Sequence, residues 1–89
     1  MTSPDRISEE IKRRIKISVA AYAYEIMNDS IMSDAEFDEE CQKVDVTITT
    51  GNIFMDQWFV KEFNASTGQW IHNHPQLKRL DELYKKYYK

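Results

Sequence analysis

Six apolar residues near the front of the chain, Ile7, Ile11, Ile15, Val19, Tyr22 and Ile26, recur at intervals of three or four. That period lays one apolar stripe along a helix of about five turns, and strand periodicity cannot accommodate it. Ser3, Pro4 and Asp5 stand where such a helix would begin. They supply a hydroxyl to accept a first-turn N–H, a proline whose missing donor is not needed there, and an acid at the positive end of the helix dipole. The helix should end near Met27 or Asn28. Only two glycines and two prolines occur in 89 residues, which leaves few points for tight reversal and disfavours a many-turned β fold.

The remaining segments follow the same logic. Ser33 and Glu36 have the S-x-x-E spacing of a capping box, so a second helix should start there and run to about Val44, burying Phe37, Cys41 and Val44. Asp34 and Asp38 share one face of it, with Phe37 beside them. From Val44 to Thr50 the chain alternates apolar and polar residues and is mostly β-branched, which predicts a short extended segment around 46–49. Met55, Phe59 and Phe63 restore helical spacing and predict a third helix over 53–64. Pro75 suits the first turn of a last helix whose apolar stripe is Leu77, Leu80, Leu83 or Tyr84, and Tyr87. The expected fold class is mainly α: a single domain, 1–89, of about four helices with one short extended segment.

Charge is laid out unevenly. Nine acids lie between Asp29 and Glu62 against only Lys43 and Lys61. Arg6, Lys12, Arg13, Arg14 and Lys16 precede this block, and Lys78, Arg79, Lys85, Lys86 and Lys89 follow it. Such segregation speaks to partners and association rather than to fold. The ending Tyr84–Lys89 interleaves cations with aromatics as nucleic-acid surfaces do. A net charge of −3 disfavours a polyanion as the main ligand. Asp34, Glu36, Asp38, Glu39 and Glu40 would instead present a row of carboxylates to a basic surface, so the expected partner is a protein.

Little in the chain points to catalysis. Ser66 or Thr67 with a nearby histidine makes no nucleophile motif, and a non-enzymatic protein is expected. His72 and His74 would point the same way on a strand, but a zinc site needs three or four ligands. They are read as an exposed loop pair, with no metal. Cys41 has no partner for a disulfide, and no stretch has the character of a secretion signal or the roughly 20 apolar residues of a membrane span. A cytoplasmic protein outside the membrane is expected.

The run Tyr22-Ala23-Tyr24, a short turn, then Asp34-Ala35-Glu36-Phe37-Asp38 resembles the N-terminal helical segment of bacterial NAD-dependent DNA ligases, which holds the nicotinamide mononucleotide half of NAD. The resemblance covers residues 22–38, about a fifth of the chain, and His74-Pro75-Gln76-Leu77 echoes a His-Pro-Glu-Leu run of that family. It implies that Tyr24 would stack on the nicotinamide ring while Asp34 and Asp38 hold ribose or amide groups. The family's histidine after the tyrosine is Glu25 here, the second tyrosine is Phe37, and the Lys-x-Asp-Gly run that carries the adenylyl group is absent. The first expectation is therefore a small binding module without a cofactor, of a kind that would suit an accessory protein of a bacterial virus or mobile element. The alternatives are a nicotinamide mononucleotide or NAD binder, and a nucleic-acid binder through the basic termini.

Overall fold

The computed structural model describes residues 3–88; Met1, Thr2 and Lys89, the last a member of the basic C-terminal tract, lie outside it. Four α-helices form: α1 Pro4–Glu25, α2 Asp34–Lys43, α3 Ile53–Glu62 and α4 Leu77–Tyr88. A 3-10 helix, Gln69–Asn73, joins α3 to α4. The domain is mainly helical, as the periodicity requires, and α1 packs against α4, the 3-10 helix and α2.

Both predicted caps are present. Ser3 Oγ accepts the Arg6 N–H at 3.3 Å, and Ser33 Oγ accepts the Glu36 N–H at 3.1 Å. Only half of the capping box forms in α2, because the Glu36 carboxylate turns to Lys16 at 3.6 Å. Ser33→Ala should cost about 1 kcal/mol in urea unfolding; a change of under a few tenths would mean that the hydroxyl contributes nothing to α2.

The buried face of α1 is rotated from the expected stripe. Ile15 is 47% exposed and Ile26 is also exposed, whereas Glu10, Arg14, Ile17, Ser18 and Ala21 are buried. The cause is Arg14. Its Nε donates to Glu10 at 2.7 Å, Nη1 to Asp56 at 2.8 Å, and Nη2 to the carbonyls of Asp45 and Ile48 at 2.8 and 3.0 Å. These bonds hold that side of α1 inward and leave Ile15 at an edge.

The same guanidinium explains why 46–49 is not extended. Residues 45–48 form a turn in which the Ile48 N–H donates to the Asp45 carbonyl at 3.2 Å and the Asp45 carboxylate accepts the Thr47 N–H at 3.0 Å. Local side-chain bonds and Arg14 override the β-propensity of the valines and threonines, and Ile48 is buried as a plug.

Opposite α1, Trp58, Phe59 and Phe63 of α3 and its cap meet Trp70, with ring centroids 5.1 to 6.0 Å apart. Pro75 precedes α4 instead of lying in its first turn, and the 3-10 helix was not anticipated. Leu80 and Tyr84 are the buried residues of α4, and Tyr87 is exposed. The Tyr22 hydroxyl donates to Asp81 at 2.6 Å, joining α1 to α4, and the Tyr84 hydroxyl donates to Asp29, which ties the 26–33 connection to α4.

Candidate functional site

The end of α1 is wound so that the chain can double back. Asn28 takes a left-handed φ of 54°, a conformation asparagine tolerates better than most residues, and the Asp29 N–H reaches the Ala23 carbonyl at 2.8 Å. The returning chain and α2 leave a cavity of about 310 Å³ against the last turns of α1, closed on one side by Thr67 and Gly68. Ala20 and Ala21, small and buried, allow that approach. The loop is shaped locally: Asn64 Oδ1 accepts the Ser66 N–H at 2.8 Å and Thr67 Oγ1 accepts the Gln69 N–H at 3.2 Å. A methyl group at Gly68 would stand 3.7 Å from the Phe37 ring and 3.8 Å from Glu25, so the loop backbone itself forms the wall.

Tyr24, Asp34 and Asp38 all line this cavity, together with Glu25 and Phe37. Tyr24 is 61% exposed, an open ring face at the mouth. Three carboxylates and two aromatic rings thus surround a space whose lining, among the described residues, contains no Lys, Arg or His. Glu25 lies 3.7 Å from His72 Nε2, outside the cavity lining.

The five acids predicted as one partner-binding face divide into two sets. Glu36 meets Lys16 at 3.6 Å, Glu39 meets Lys43 at 3.2 Å and Glu40 meets Arg13 at 3.0 Å. The Arg13 hydrogen bond holds the Glu40 carboxyl below the usual range, against the opposing effect of its burial. Asp34 and Asp38 have no ion pair among the described residues. Below this face, burial pushes the Cys41 thiol up to about 11, helped by Asp38 and Glu40, so it is protonated at neutral pH and a poor nucleophile.

Much of the basic N-terminal run is also engaged internally. Arg6 lies 3.6 Å from Asp45, and Arg13, Arg14 and Lys16 have the partners described above. In α4, Lys85 meets Asp81 at 2.9 Å. His72 and His74 do not act as a pair: His72 is exposed, while His74 is buried against Trp58 with ring centroids 4.9 Å apart. Among the described residues no group of three His, Cys, Asp or Glu side chains is arranged to hold a metal ion, and no helix is long and apolar enough to cross a membrane.

Set against protein-family models, curated proteins and solved structures, the chain matches none. One feature of the cleft escaped the sequence reading: Gly68, visible there only as part of a loop.

Proposed function

We propose that this protein is a small non-enzymatic binding module that holds a partner protein by a basic side chain entering the cleft between α1 and α2. The observation that carries this reading is the lining of the cleft: Glu25, Asp34 and Asp38 with Tyr24 and Phe37, and no cation among them. A guanidinium fits such a site because it donates charge-assisted hydrogen bonds to carboxylates while its plane lies on an aromatic face. Glu36, Glu39 and Glu40 extend the negative rim around it. Their existing pairs make them weaker contributors, since exposed pairs of this kind gain little from exchanging one cation for another.

Pull-down from bacterial lysate tests the reading. Asp34→Lys combined with Asp38→Lys should abolish recovery of the partner, whereas Glu39→Lys should change it by less than about twofold. Undiminished recovery with the double variant would remove the cleft as the binding site.

A second reading is favoured by the convergence of Tyr24, Asp34 and Asp38 on one cavity: nicotinamide mononucleotide or NAD, as the resemblance implies. The volume of about 310 Å³ lies at the lower end of small-molecule sites, and Glu25 would repel the phosphate. Calorimetry distinguishes the two. Heat and a rise in Tm with millimolar nicotinamide mononucleotide would favour the nucleotide, and neither would remove it.

A further inference from the structure

A second cavity, of about 360 Å³, shares no residue with the cleft. Ile11 and Ile15 of α1 face Leu80 and Leu83 of α4 across it, and Met55 of α3 contributes to its lining. Three of its polar groups, His74, Gln76 and Arg79, stand where α4 begins, and Ser18, Thr50 and Asn52 line it from other elements. Among the described residues, no Asp or Glu lines it. Arg14, which also reaches this space, is saturated by Glu10, Asp56 and two carbonyls. Among the described residues, Arg79 has only an exposed contact with Glu82 at 3.5 Å, a pair of small energy.

His74 is the decisive group. It is 7% exposed, and its Nδ1 accepts the Gln76 N–H at 3.0 Å. In the neutral ring the proton must then sit on Nε2, and no hydrogen-bond partner for Nε2 occurs among the described residues. Nε2 itself is not sealed from solvent, so its N–H is free to donate to water or to an acceptor in the cavity that His74 lines.

We propose that this groove binds a small carboxylate with an apolar tail, its head between Arg79 and the Nε2–H of His74 and its tail along Ile11, Ile15 and Leu83. Charge complementarity selects that occupant. An ammonium head would meet Arg79 and Arg14, a purely apolar guest would leave His74 unanswered, and a bare anion would leave the aliphatic walls wet.

Octanoate is the probe, titrated into the full chain while the amide signals of the protein are followed by NMR, with octylamine and acetate as controls. Octanoate should shift the His74, Gln76 and Arg79 signals and raise Tm, and neither control should do so. Arg79→Gln should weaken octanoate about tenfold. Ile15→Glu should weaken it comparably, and because both positions are exposed, both variants should stay folded. Asp34→Asn with Asp38→Asn should leave octanoate binding intact, which separates this site from the cleft. Equal binding of octylamine, indifference to Arg79→Gln, or no response to millimolar octanoate would overturn the proposal. So would sedimentation showing a dimer that Ile15→Glu dissociates, because a second copy of the chain would then be the occupant.

Discussion

Arg14→Met should destabilise the protein by about 3–5 kcal/mol, a large part of the roughly 5–10 kcal/mol that holds a domain of this size together. The side chain joins Glu10 in its own helix to Asp56 in α3 and to two carbonyls of the 45–48 turn. Methionine would leave Asp56 buried without its cation, Glu10 with only the longer contact to Arg13 at 3.7 Å, and two carbonyls without a donor. Glu10 also accepts the Asp45 N–H at 3.1 Å, and Asp56 accepts the Thr50 N–H and hydroxyl at 2.9 and 2.7 Å. Burial works against ionisation of Asp56, but the Thr50 bonds and Arg14 outweigh it and hold its carboxyl below the usual range. The stability this carboxylate contributes is thus present above its unfolded-state pKa and lost as pH falls through the lower folded value. Arg14→Lys should restore little, because a single ammonium cannot serve four acceptors in one plane. Urea unfolding measures the effect, and a loss under about 1 kcal/mol for Arg14→Met would show the network to be dispensable. The expected cost is that of stranding partners; the net contribution of the intact network over a well-packed apolar alternative is much smaller.

Stability should also fall as pH drops from about 6.5 to about 4, by up to about 3 kcal/mol, through His74 alone. Burial pushes this imidazole down to about 4. Between the two values the unfolded chain binds a proton that the folded chain refuses, so unfolding gains with every step toward acid. Above pH 6.5 the contribution is complete. Trp58 of α3 packs on the ring and contributes to that burial, and Arg14 of α1 and Arg79 of α4 are the charged groups that line the same cavity. His74→Asn, which retains a short side-chain acceptor for the Gln76 N–H, should flatten the dependence of Tm on pH in this window. Identical slopes for the two proteins would assign the acid sensitivity to the carboxylates instead.

The parts of this fold that could be read from the sequence are those set by near neighbours. Ser3 and Ser33 cap helices because a hydroxyl three residues ahead of a free N–H needs nothing else. The parts that could not be read depend on distant partners. Val46 to Thr49 had the composition of a strand, but Arg14, more than thirty residues earlier, claims the carbonyls of Asp45 and Ile48. The apparent stripe through Ile15 was displaced by charged residues at Glu10 and Arg14, whose burial becomes intelligible only once Asp56 is in place. His72 and His74 were alike on paper and are separated by the bend after the 3-10 helix. For the cleft, the spacing of Asp34 and Asp38 put both on one helical face, and the ligase-like phrase added Tyr24. That the loop at Gly68 would complete the cavity was not legible from either.

The ion pairs between α1 and α2 recast the division of charge along the chain. Arg13 and Lys16 already occupy Glu40 and Glu36, so the protein carries an internal competitor for its own acidic surface. A basic partner arriving at α2 would have to displace that tenant at the rim, but at Asp34 and Asp38 no pair stands in the way. The block pattern that resembled an advertisement to the outside is largely a private arrangement between neighbouring helices. On α2 it leaves two aspartates without an ion pair among the described residues, both beside a tyrosine.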